Sequence, residues 1–99
     1  MAQISVTRQA DGRFRVLTHT GPVATSHQVS MPAGFAATIG CGHVAPEEIV
    51  RASFEFLLER EPATSILRQF SLDVIDQYFP GYPAGIRARL GGSEPGTSR

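Results

Sequence analysis

Residues Glu47–Glu61 read EEIVRASFEFLLERE and lie between Pro46 and Pro62. At the ~100° step of an α-helix, Ile49, Val50, Ser53, Phe54, Phe56, Leu57 and Leu58 fill an arc of roughly 200°, about twice the stripe a surface helix needs. Glu48, Arg51, Glu55 and Glu59 occupy what remains. A helix of this pattern is covered from two sides, by two layers of its own chain or by one layer and a partner. Pro46 suits the first helical position, and the glutamates behind it suit the positive end of the helix dipole. Ala45 offers no side-chain acceptor to cap that end.

Upstream, Ile4–Arg8 and Arg13–Leu17 alternate at period two, as half-buried strands do. Ala10-Asp11-Gly12 joins them through an Asp-Gly turn. In the second run Phe14 and Val16 face one way, and Arg13 and Arg15 the other. Gly21-Pro22 breaks the pattern, and Ser26–Met31 makes a third strand with His27, Val29 and Met31 on one side, closed by Pro32. Phe35–Ile39 has room for about one turn of helix before Gly40. A three-stranded antiparallel meander with one apolar face needs a cover, and the helix over Glu47–Glu61 supplies it.

Downstream of Pro62, Thr64 caps a short helix through Ile66, Leu67 and Phe70. Ser71 caps another carrying Leu72, Ile75 and Phe79, which Pro80-Gly81 ends. With six large apolar side chains in the fourteen residues from Ile66 to Phe79, this segment belongs to the core. From Ala84 onward Gly, Ser, Pro and Arg dominate and apolar periodicity is lost. The expected fold is α+β: a three-stranded antiparallel meander followed by one long amphipathic helix and two short helices. It forms a single domain over residues 1–83, with a disordered C-terminal tail over 84–99.

The run Ser53–Pro62 (SFEFLLEREP), followed by Ser65-Ile66-Leu67, Phe70 and Tyr78-Phe79-Pro80, resembles a pattern in a family of small uncharacterised bacterial proteins that also start with a small β-meander. The likeness spans roughly Ile4–Tyr82 and departs at Ala45, where the pattern carries a capping serine. It implies the same fold and no activity, cofactor or catalytic residue.

Composition sets further bounds. Ninety-nine residues with 41% hydrophobic and 18% charged content describe one globular domain. No apolar run approaches the ~18 residues of a membrane span, and Met1–Ser5 has neither the basic start nor the apolar middle of a signal peptide, so the expected location is the cytoplasm. A single cysteine makes no internal disulfide. All nine basic residues are arginine, and lysine and asparagine are both absent, a usage that fits a GC-rich, bacterial genome. Charge is weakly segregated: residues 1–43 carry +2, residues 44–80 carry −4 and residues 81–99 carry +2. That falls far short of the basic stripe of a nucleic-acid binder.

Candidate chemistry is sparse. Cys41-Gly42-His43 suggests a metal site with His27 or His19, but one cysteine in a single C-x-H lacks the paired spacing of zinc ligands. As a thiol nucleophile, Cys41 with His43 has no evident orienting acid. His27, sharing strand parity with Val29 and Met31, reads as a satisfied, half-buried histidine. Glu47 and Arg51 form a favourable i,i+4 pair on a solvated face. Arg60 falls inside the apolar arc and is expected to latch onto Asp73 or Asp76. Arg8, Arg13 and Arg15 on the hairpin, with Arg60, are the candidate contacts for a partner or anion. The functional expectation is a non-enzymatic interaction module with a protein partner or self-association, and with no cofactor or metal. The alternative is a nucleic-acid-associated regulator using the arginine-bearing hairpin; a Cys41/His43 enzyme or metal protein is the third reading.

Overall fold

The computed structural model describes residues 3–10 and 12–90. Strands β1 (Gln3–Ala10), β2 (Arg13–Thr20) and β3 (Val23–Ser30) form the antiparallel meander. Asp11, in the first turn, lies outside the described residues. Each strand outruns its alternating core because partners extend the ladder to its ends, where Thr20 faces Val23 across Gly21-Pro22. Phe14, Val16, Thr18, His27 and Val29 are buried on one face of the sheet.

The helix foreseen from Thr64 through Phe70 is not formed. Only a 3-10 turn, Ala63–Ser65, follows Pro62, and the chain then extends into β4 (Gln69–Ser71), parallel to β3. Backbone pairing is the reason. The N–H of Gln28 donates to the carbonyl of Arg68 at 2.6 Å, and Phe70 sits opposite Val29. Long-range pairing overrides a helical spacing carried by only three apolar residues.

Among the described residues there are four helices: α1 (Phe35–Thr38), α2 (Pro46–Leu58), α3 (Ile75–Tyr78) and α4 (Tyr82–Leu90). Helix α2 stops three residues short of Glu61, because Pro62 disfavours the helical region for the residue before it. The Leu72–Val74 turn runs straight into α3, so Leu72–Tyr78 is helical as expected, although Ser71 makes no side-chain cap.

Helix α4 corrects the expectation of a tail over 84–99, at least as far as Leu90; residues 91–99 lie outside the described ones. Tyr82 and Ile86 are fully buried against α2. The Tyr82 hydroxyl donates to Ser53 Oγ at 2.6 Å, and Ser53 donates in turn to the Ile49 carbonyl at 2.7 Å. The sheet and α4 therefore cover the wide arc of α2 from its two sides, within one chain. Phe54 meets His27 and Phe70 on the sheet side, and Phe56 meets Tyr82 on the other. Arg87 reaches back to donate to the Ile39 carbonyl at 3.0 Å, closing the end of α1.

The outward edge of β1 is blunted. Arg8 turns to the helix side and pairs with Glu47 at 3.5 Å, the ladder bulges between Arg8 and Ala10, and Arg51 donates to the Ile4 carbonyl at 2.6 Å. Inward charges and bulges of this kind discourage strand addition. Glu47 and Arg51 are thus spent on β1 and not on each other.

Candidate docking cleft

Polar groups on the buried side of the sheet set the position of segment 66–70. His27 Nδ1 donates to the Leu67 carbonyl at 2.8 Å, and Thr25 Oγ1 meets Nε2 at 2.8 Å. Since a carbonyl only accepts, Nδ1 carries a proton; in the neutral ring Thr25 donates to Nε2 and accepts from Thr18. The expected satisfied histidine is therefore present, buried more deeply than its strand parity alone requires. Its role is to hold the Leu67 backbone inward. Ile66 enters the core while the Leu67 side chain remains 55% exposed.

Beside Leu67 lies an open cleft of about 430 Å³. Leu57, Ile66 and Ile75 form its buried floor, and the half-buried Phe70, Val74 and Phe79 form its walls. Leu67 and Tyr78, the latter 67% exposed, stand at its rim. Glu61 is the one charged residue lining it among those described. The elements bordering it, the end of α2 and the stretch from Ser65 to Phe79, were legible as apolar in the sequence. What could not be read was that β4 would divide their apolar residues between core and surface.

The candidate arginines do not converge. Arg13 and Arg15 stand on the outward face of β2, in register with Ala10 and Thr7 of β1 and with Ser30 and Gln28 of β3. Arg8 is on the opposite face with its guanidinium 5.6 Å from the Phe14 ring centre. Arg60 does not reach Asp73 or Asp76; it lies over the ring of Phe56 at 3.6 Å and donates to the Phe56 carbonyl at 3.0 Å. The carboxylate it does meet is that of its neighbour, Glu59 Oε1, at 3.4 Å. Arg89, on α4, holds Glu59, and that hydrogen bond keeps the Glu59 carboxyl below its ordinary range.

Cys41 is fully buried, with its thiol pushed up by burial and drawn partly back by Arg87. His43 is exposed. Among the described residues no three of His, Cys, Asp and Glu stand close enough to hold a metal ion, and no helix is long and apolar enough to cross a membrane. Comparison of the chain with family models, with curated proteins and with solved structures finds no match. The likeness of the Ser53–Pro80 pattern to small bacterial proteins therefore rests on those residues alone.

Proposed function

We propose that the protein is a non-enzymatic interaction module of the bacterial cytoplasm that holds a partner protein in the cleft between α2 and α3. The observation that carries this reading is the exposure of Leu67 and Tyr78 at the rim of an apolar cleft, at 55% and 67%. Single exposed apolar residues are ordinary, but two of them flanking one concave apolar surface mark a docking site. The wide arc on α2, which left room for a second copy, is covered by α4, and the cleft offers a partner a concave apolar surface instead.

A second reading keeps the arginine-bearing hairpin. Arg13 and Arg15 lie two residues apart on an open sheet face, and neither makes an ion pair among the described residues. No Phe, Tyr or Trp accompanies them there to stack on bases. Affinity capture from native lysate, with and without nuclease, separates the two readings when run on wild type, Leu67→Asp and an Arg13→Glu/Arg15→Glu variant. The docking reading expects a nuclease-resistant partner that Leu67→Asp loses and the arginine variant keeps. Loss on nuclease treatment, with steep salt dependence, supports the hairpin instead.

A further inference from the structure

We infer that the occupant of the cleft is a peptide segment in which a large apolar side chain neighbours an arginine or lysine. This rests on the docking reading and deepens it. The cleft is apolar on its floor and walls, and its charge comes from Glu61. The other glutamates toward the end of α2, Glu55 and Glu59, are engaged by Arg89. Glu61 is half-buried, and among the described residues no cation stands within 4.0 Å of its carboxylate.

An occupant made only of apolar groups would strip water from that carboxylate and return nothing. An acidic occupant would add repulsion. A guanidinium or ammonium reaching Glu61 replaces the lost water with a charge-assisted hydrogen bond, and the exposed ring of Tyr78, which lines the same cleft, offers a face to the same cation. The volume of about 430 Å³ takes one or two large side chains. Because the cleft opens to solvent along the Leu67–Tyr78 rim, those side chains enter from a backbone lying outside.

The test selects from a random peptide library displayed on phage against the immobilised full chain. Enriched peptides are then titrated by fluorescence anisotropy against wild type, Leu67→Asp and Glu61→Gln, each variant first shown to fold by urea denaturation. The expected result is peptides pairing an aromatic or aliphatic residue with Arg or Lys. Leu67→Asp and Glu61→Gln should each weaken them about tenfold or more, whereas Glu61→Gln should tighten a peptide with norleucine in place of the cation, because it removes the carboxylate whose desolvation that peptide leaves unanswered. Peptides without a basic bias, weakened by Leu67→Asp and indifferent to Glu61→Gln, overturn the charge inference while the docking reading stands. No enrichment, or enrichment indifferent to Leu67→Asp, overturns both. A concentration-dependent dimer in sedimentation that Leu67→Asp abolishes places a second copy in the cleft and overturns the peptide.

Discussion

A β-carbon built on Gly85 would stand 2.8 Å from Cε2 of Phe56, so glycine is needed there for the approach of α4 and not for its backbone angles. An exposed helical glycine changed to alanine gains about 1 kcal/mol of helix propensity. At Gly85 the sign reverses: Gly85→Ala pushes α4 off Phe56, and overpacking of about 1–3 kcal/mol outweighs the propensity gain. Urea denaturation should show a net loss. The neighbouring Tyr82 links the same contact to pH. Burial holds its phenol well above the ordinary range. Above pH ~10 the unfolded chain ionises this tyrosine and the folded chain does not, so stability falls as pH rises past that point. Cys41, raised by burial, adds a loss of the same sign beginning near pH 9. Tyr82→Phe should cost about 1 kcal/mol at pH 7 for the lost hydrogen bond and flatten the alkaline limb of a stability–pH profile.

Among the elements, the meander and α2 were legible because their signals are dense. Period-two alternation marks the strands, and seven apolar or small residues on one arc, set between prolines, mark the helix. Helix α4 was not, because its packing face holds only Tyr82, Ile86 and Leu90, four residues apart, among glycine, proline and arginine. Its other contacts are made by an absent side chain at Gly85 and by the guanidinium of Arg89, which apolar patterning does not register. Strand β4 was missed because three residues give no periodicity and their pairing with β3 is non-local. The cleft escaped with it: Ile66 and Leu67 look alike in sequence, and what tells them apart is non-local, the His27 hydrogen bond to the Leu67 carbonyl and the Gln28 hydrogen bond to the Arg68 carbonyl. Helix α4 makes a prediction that the tail expectation denied. Ile86→Ala should cost about 2–4 kcal/mol, and a chain ending at Gly85 should lose cooperative unfolding, both read by circular dichroism against urea.

For the molecule as a whole, the sheet and α4 close the core around α2; of the exposed large apolar side chains among the described residues, Leu17 and Val23 stand on the meander, while Leu67 and Tyr78 share the cleft. The central claim is that this surface is a docking site and not an imperfectly filled core. Two adjacent leucine-like residues decide it: Ile66 is 7% exposed and Leu67 is 55% exposed. Global stability of Ile66→Asp and Leu67→Asp, measured side by side by urea denaturation at pH 7, is the most direct test. Ile66→Asp buries a carboxylate without a partner and should lose more than about 3 kcal/mol or fail to fold. Leu67→Asp should stay within about 1 kcal/mol of wild type, since its side chain already meets water. If Leu67→Asp collapses with Ile66→Asp, both side chains belong to the core, and the cleft is not a surface on which a partner docks.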